Sequence, residues 1–399
     1  MPEPAATWPA SPYRPGNGID PPYLGDREEQ IEVVRSFLKD ARNPRNVLIT
    51  GLRGVGKTVL LNHLQGEAEA SGWLVIDREF SEADAEPLAF ANALLTDVNR
   101  ALRRLSLSTR LKDRASGVLQ LAVEAIGALT VSYGEFKVSV DTRRKRAGPH
   151  RRLDDDLREA FTHIGELCRK SEYRGLVLRY DEFHVIREHP GAPTLSALLS
   201  ATSAVQQHGL PLMLMLCGLP PVVDNLSRSK SYSERMFTTM LLGNLRPPED
   251  RAALVDPATR LGRRFADEVV DAVMVDTGGY PFFIQVYGDA LWSGSHGETI
   301  APADLKRLRP RILSTLDAGF FRARYVRASP NERKLMRNIA SFGETATIEQ
   351  LQQASGRRNN EIQPTISALI AKGLVYRPER ARIGFTAPMF GAFLQRTPD

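Results

Sequence analysis

Cysteine is almost missing from this 399-residue chain: only Cys168 and Cys217 occur, with no second cysteine near either. A disulfide framework and a multi-cysteine zinc site are thereby excluded as organising features, and a reducing compartment is expected. Long apolar runs are lacking too. Residues 117–131 come nearest, but the stretch falls short of the ~18 residues a membrane span needs and carries Gln120 and Glu124. The opening MPEPAATWPASPYRPGNGIDPP has neither the basic start nor the apolar stretch of a signal peptide. The expectation is a soluble, cytoplasmic protein with no membrane partner. Histidine is sparse, at seven residues, and forms no ligand set. His184 and His189 only flank a loop, and no Ser/His/Asp arrangement suggests nucleophilic catalysis.

What is present supports packed cores: 42% of residues are hydrophobic and 25% charged, so wholesale disorder is excluded. The length predicts two or three domains. Net charge is +6, which carries meaning only if it is concentrated.

Seven of the 26 prolines lie in the first 22 residues, so residues 1–24 read as an extended arm crossing a surface. An amphipathic helix follows, with Ile31, Val33, Val34, Phe37 and Leu38 on its apolar face. Short apolar strands are expected at 47–50, 73–77, 176–180 and 211–220, with helical patterns between them at 88–105, 154–170 and 193–208. That alternation predicts a parallel sheet covered on both faces. LLGNL at 241–245 offers one more strand. Within 106–152, a helix at 115–128, a hairpin around Gly134 and the basic tract 143–152 read as an insertion on the α/β core. Residues 249–325 show helical periodicity without a strand. The last segment, 326–399, shows helices at 331–341, 347–354 and 361–372, then two short strands around a charged turn, which is a winged-helix outline.

GLRGVGKT, residues 51–58, has the spacing G-x-x-x-x-G-K-[ST] between a strand and a helix. Glycines let such a loop turn tightly, so that backbone N–H groups and the helix start converge on phosphate oxygens. Gly51, Leu52, Arg53, Gly54, Val55, Gly56, Lys57 and Thr58, with Val59 behind them, are the candidate nucleotide contacts. Lys57 is placed for the β- and γ-phosphates and the Thr58 hydroxyl for Mg²⁺. LVLRYDEF, residues 176–183, ends a strand in two carboxylates: Asp181 to hold Mg²⁺, and Glu182 to polarise an attacking water. Arg179 is unexpected on a buried strand. It predicts either a polar pocket or a strand nearer the sheet edge.

At this point the chain resembles the AAA+/STAND class of P-loop ATPases, most of all its archaeal-type origin-recognition branch. The resemblance runs from about Tyr23 to the end, leaving 106–152 weakly covered. It implies an α/β fold: a P-loop NTPase parallel sheet at 25–246, a helical lid domain at 247–325 and a C-terminal winged-helix domain at 326–399. PPYLGDREEQIEVV, residues 21–34, is similar to the motif that lies beside the adenine, implicating Leu24 and Arg27, although Asp26 intrudes. SYSERMF, residues 231–237, resembles the segment carrying an arginine to a neighbouring subunit's γ-phosphate. Arg235 is the candidate finger, with a surface arginine paired to Glu234 as the equal alternative. GGYPFFIQ, residues 278–285, looks like the Gly-x-Pro element by which such lids sense nucleotide, implicating Tyr280 and Pro281. One departure stands out: the fourth strand ends Leu216-Cys217-Gly218-Leu219-Pro220, without the family's usual polar residue. Slow hydrolysis, suited to a switch, is the expectation.

Residues 322–399 hold 13 Lys+Arg against 6 Asp+Glu, a net +7, while the other 321 residues hold 40 against 41. The chain's charge therefore sits in the terminal module. Arg357, Arg358, Asn359, Asn360, Gln363 and Thr365 fall at the start of the expected recognition helix, and Arg377, Arg380 and Arg382 on the wing. The expected partners are ATP or ADP with Mg²⁺, DNA through the winged helix, and a homo-oligomer or partner protein. The competing expectation is a signalling or assembly scaffold, whose winged helix binds protein and whose ATPase acts as a slow timer.

Overall fold

The computed structural model describes residues 8–16, 18, 19, 21–107 and 153–397; the helix, hairpin and basic tract expected within 108–152 lie outside the described residues. The chain forms two compact units, one of Glu28–Gly51 and Leu60–Leu241, the other of Met1–Arg27, Leu52–Val59 and Leu242–Asp399.

The first unit is built on five strands: β1 (Asn46–Gly51), β2 (Leu74–Glu79), β3 (Leu176–Asp181), β4 (Leu212–Gly218) and β5 (Phe237–Leu242). Their order is β2-β3-β4-β1-β5. The pairs β1–β4, β3–β4 and β2–β3 are parallel, with Leu48 opposite Leu216 and Leu178 opposite Leu214. Every residue of β1, β3 and β4 is buried, as continuous apolar runs in a doubly covered sheet require. Helices Pro87–Leu107, Leu153–Lys170 and Thr194–Gln207 contribute Phe90, Leu94, Leu157, Phe161 and Leu198 to the core, each such side chain worth about 1.5–3 kcal/mol of burial. The helix Glu28–Lys39 buries Ile31, Val34, Phe37 and Leu38.

Two expectations need correction here. The last strand is not 241–245 but Phe237–Leu242, because the chain turns out of the sheet at Gly243 and Leu245 N–H instead donates to Gly279 O. Arg179 does not mark an edge: β3 lies between β2 and β4, and the guanidinium donates to the Asn62 side chain on the helix Lys57–Ala70.

In the second unit, helices Glu249–Thr259, Asp267–Thr277, Pro281–Gly294 and Pro302–Thr315 pack together, with β6 (Arg264–Phe265) and β7 (Thr299–Ile300) pairing in parallel. Two residues per strand leave no periodicity in a sequence, which is why 249–325 reads as purely helical. The proline-rich arm makes no helix or strand among its described residues and lies on these helices. Trp292 Nε1 donates to Pro9 O, the Tyr13 hydroxyl to Leu254 O, and Arg14 N–H to the Gln285 side chain.

Past Thr315 the helix continues as a π-helical turn, Leu316–Phe321, then Arg322–Tyr325. The terminal module follows: helix Pro330–Ala340, β8 (Thr345–Thr347), helices Ile348–Ser355 and Asn359–Ala371, β9 (Val375–Glu379), β10 (Arg382–Phe385) and helix Phe390–Arg396. Ser329 with Glu332, and Thr347 with Gln350, form capping boxes that start two of these helices. The three strands are ordered β8-β10-β9, and both β10 pairs are antiparallel.

Candidate functional site

β1 ends at Gly51 and the next helix starts at Lys57, so residues 52–56 form the intervening loop. Gly54 has φ +78° and Gly56 φ +89°, backbone conformations that residues with a Cβ rarely adopt. At Gly56 a Cβ would meet nothing within 4 Å, so the requirement there is purely conformational and the space beside the loop is open. The Lys57 ammonium, itself largely buried, donates to Leu52 O at 2.8 Å and so lies folded over the loop. A loop with positive-φ glycines, an open flank and a lysine folded over it fits a bound phosphate. Thr58 follows Lys57 in the first turn of the helix, and Leu52, Arg53, Thr58 and Val59 are all half-buried.

Arg27 is buried and serves this same loop: Nη2 donates to Val55 O at 3.2 Å and to Gly243 O at 3.0 Å. The intruding Asp26 is absorbed by a left-handed backbone, φ +57°, with Arg27 Nη1 on its carbonyl at 2.7 Å. Leu24 is half-buried beside them. Tyr280 is 1% exposed, precedes Pro281 at the start of the helix Pro281–Gly294, and donates its hydroxyl to Arg53 O. Burial pushes the pKa of that hydroxyl up to about 12. Two constraints follow that sequence reasoning missed. A Cβ on Gly54 would lie 2.1 Å from the Tyr280 hydroxyl, and one on Gly279 would lie 2.2 Å from Leu245 O. Nothing local in the sequence reveals either, because both partners are distant in the chain.

In the sheet unit, β1 and β3 run parallel through β4, so Gly51 and Asp181 end on the same edge. Asp181 is buried, and its Oδ1 accepts from Glu182 N–H at 2.7 Å. Glu182 takes a left-handed backbone, φ +50° and ψ +28°, at the start of the turn Phe183–Val185. Such a conformation costs about 1–2 kcal/mol for a residue with a Cβ, so the surroundings must hold it. They do so through an aromatic layer: Tyr180 stacks on Phe183, and both meet Phe80 edge-on. The Glu182 carboxylate lies 3.2 Å from His184 Nδ1. At the end of β4, Cys217 is fully buried and Gly218 faces His184. Arg235 is exposed on the short helix Ser233–Met236, and no ion pair engages it among the described residues. The two cysteines are both buried, and they form no disulfide. No group of three His, Cys, Asp or Glu residues suited to a metal ion occurs among the described residues.

In the terminal module the helix Asn359–Ala371 buries Ile362, Ile366 and Leu369 and turns the rest outward. Arg358 caps it; its N–H donates to Glu361 Oε2 at 2.7 Å. Arg357, Arg358, Asn359, Asn360, Arg377 and Arg380 are exposed. A relay of amides orders part of this face: Arg377 donates to Gln363 Oε1 and Gln363 Nε2 to Asn359 Oδ1, both at 2.7 Å. Arg357 donates to Asn331 Oδ1 at 2.8 Å, and Asn331 to Thr365 Oγ1 at 3.1 Å. Arg382 is half-buried and donates to Thr345 Oγ1 at 3.2 Å.

Residues 25–215 match the AAA ATPase domain family, and residues 318–394 match a domain of unknown function (DUF8462). No curated protein matches. Among solved structures, the Walker-type ATPase of Pyrococcus abyssi shares the fold at 16% identity, covering 93% of this chain and 96% of its own, with a TM-score of 0.59. The Orc1 protein of Aeropyrum pernix in complex with DNA aligns over 95% and 94% at 16% identity, with a TM-score of 0.43. The RuvB Holliday junction branch migration motor of Thermotoga maritima aligns over 90% and 91% at 14% identity, with a TM-score of 0.41. The domain match and the loop geometry support a nucleotide-binding P-loop ATPase of the AAA+ class. No helix among the described residues is long and apolar enough to cross a membrane.

Proposed function

We propose that the chain is an AAA+/STAND-type nucleotide switch that binds ATP with Mg²⁺, hydrolyses it slowly, and binds DNA through a C-terminal winged helix. The observation that carries the reading is the hydrogen bond from the buried Tyr280 to the phosphate-loop carbonyl of Arg53. It makes a lid residue directly responsive to the loop that would hold phosphate.

In this reading the loop N–H groups and Lys57 bind the β- and γ-phosphates, while Arg27 fixes the loop through Val55 O. By resemblance, Thr58 and Asp181 are each the residue type that would serve Mg²⁺, an ion that would neutralise charge developing on the phosphates. Glu182 orients and deprotonates the attacking water. Arg235, exposed and without an ion pair among the described residues, is available to a second subunit. Its role rests on resemblance alone.

The basic C-terminal segment, +7 over 322–399, supplies the DNA surface, with Arg357, Arg358, Asn359, Asn360 and Gln363 toward base edges and Arg377, Arg380 and Arg382 toward phosphates. From the loop, contacts run unbroken to this module. The Tyr280 ring meets Phe320 at 6.2 Å, Phe320 meets Phe321 at 5.1 Å, and Phe321 stacks on Phe390 at 5.5 Å. Phe320 and Phe321 belong to the π-helical turn, an irregularity frequent at functional sites.

The test is a salt-titrated gel shift of the full chain with duplex DNA, with ATP, with ADP and without nucleotide. Nucleotide-dependent binding that weakens steeply with salt is expected. Absence of any shift at low salt overturns the DNA reading and turns the module toward a protein partner.

A further inference from the structure

The end of β4 lacks the polar side chain that an ATPase of this class ordinarily places beside the attacking water, and the structure shows what stands there instead. Gly218 is the last residue of β4, and a Cβ on it would fall 2.9 Å from His184 N, 3.2 Å from His184 Cβ and 3.4 Å from His184 Nδ1. His184 thus packs directly against the strand end, in room that only a glycine leaves. The imidazole is mostly buried, with 12% of its side chain exposed, and its Nδ1 lies 3.2 Å from Glu182 Oε2. The two groups are in ion-pair contact, but the ring is not turned to make that contact a hydrogen bond; a rotation about the soft χ2 of the imidazole is what would bring a protonated Nδ1 onto Oε2.

Its backbone is fixed as well. Asn225 Nδ2 donates to His184 O at 2.9 Å and to Ile186 O at 3.0 Å, and Val185 N–H returns to Glu182 O at 3.2 Å. The backbone on both sides of the Glu182–His184 contact is therefore fixed, so only the two side chains remain to be oriented.

We propose that His184 is a positioning residue for hydrolysis: its Nδ1–H holds the Glu182 carboxylate in place, taking over a task that the end of β4 leaves unfilled. A carboxylate anchored through one oxygen keeps the other for the water, and anchoring limits the orientations it must lose at reaction. The inference rests on Glu182 acting as the base. Asparagine is the conservative replacement, since its side-chain nitrogen occupies nearly the position of Nδ1.

The experiment uses the full-length protein and five variants: His184→Ala, His184→Asn, Glu182→Gln, Glu182→Ala and the double variant Glu182→Gln/His184→Ala. His184→Ala is expected to lower kcat for ATP roughly tenfold, a part of the ~10²–10⁴ a positioned base supplies, with KM and equilibrium ATP affinity unchanged. His184→Asn should recover most of the rate, and the double variant should be no slower than Glu182→Gln. Nitrogen-15 NMR of labelled histidine, with the His184→Asn spectrum as assignment, should show the Nδ1–H form in wild type and its loss in Glu182→Ala. Wild-type kcat in His184→Ala, no recovery in His184→Asn, additive loss in the double variant, or an unchanged tautomer in Glu182→Ala overturns the proposal. Unimpaired turnover by Glu182→Gln, or no turnover by wild type, instead removes the hydrolytic reading beneath it.

Discussion

Arg27 and Arg263 are almost wholly buried and give their guanidinium protons to main-chain carbonyls, whereas Arg357, Arg358, Arg377 and Arg380 stand in solvent. Arg263 shows the buried kind best. It donates to Trp292 O at 2.7 Å and Gly297 O at 3.1 Å, and lies 4.9 Å from the Trp292 ring centre and 5.0 Å from that of Trp8. Burial lowers its pKa, so the cation is retained against a real desolvation cost. The exposed arginines carry no such cost, and their partners, where they have them, are side-chain amides. A charge count treats both kinds alike. The structure separates arginine used as scaffold from arginine left in solvent.

The sharpest way to break this contrast is substitution at both ends of it. Arg263→Met should lower stability by about 2–4 kcal/mol, because the buried Trp292 carbonyl and the partly buried Gly297 carbonyl lose their donor and the two tryptophans lose the cation between them. Arg380→Met should stay within about 0.5 kcal/mol. Denaturant unfolding of the two full-length variants checks both, and equal losses would void the distinction.

Next in size is the glycine beneath Tyr280. Gly54→Ala meets a left-handed backbone and the Tyr280 hydroxyl at once, and should cost about 1–3 kcal/mol with weakened ATP binding. Tyr280→Phe alone loses one hydrogen bond, about 0.5–1.5 kcal/mol. Because the clash is specific, the double variant should lose less than the sum of the two. Strict additivity in isothermal ATP titrations and melting curves would show that Tyr280 and Gly54 do not meet.

Acidic groups divide in the same way. Asp97 is fully buried and met by Arg78 through two bonds of 2.7 Å, which raise the Arg78 pKa. Glu344 is exposed as a residue, but its carboxylate accepts from the Gly391 main-chain N–H at 3.1 Å, and the desolvation of that group raises its pKa above the usual 4.5. A carboxyl whose folded pKa is raised binds protons more readily folded than unfolded. Its stabilisation is complete below about pH 4.5 and is lost as pH climbs through the higher folded value. Glu344→Gln should flatten that decline. A melting-temperature profile from about pH 4 to 7 that falls equally in wild type and variant would place the decline elsewhere.

Legibility in the sequence followed how local the cause was. The 51–58 loop and the Asp181–Glu182 pair were readable because strand, turn and helix follow one another within a few residues. The strands β6, β7 and β8 leave no sequence signal because two or three residues show no period. β5 was misplaced because Leu245 is claimed by Gly279, a partner with no local signal. Arg179 posed a question the sequence could raise but not answer, since Asn62 lies 117 positions away. His184 escapes helix-face spacing for the same reason that makes it interesting: it sits in a tight turn, where such spacing says nothing about contact.

The smallest expected effect tests whether the exposed arginines are free for phosphate. Arg380 is exposed in the turn between β9 and β10, and no ion pair engages it among the described residues. Arg377 is tied through Gln363 to Asn359, at the start of the outward-facing helix. Arg380→Ala should therefore remove a single phosphate contact, reducing the slope of log affinity against log salt by about 1 and weakening all sequences alike. Arg377→Ala should also release the Gln363–Asn359 pair and so alter preference among sequences as well as the slope. Fluorescence anisotropy of the full chain on a small panel of duplexes, across a series of salt concentrations, reads both quantities. If the two variants change only the slope, by the same amount, the amide relay does not contribute to base reading and Arg377 belongs with Arg380 as a phosphate contact.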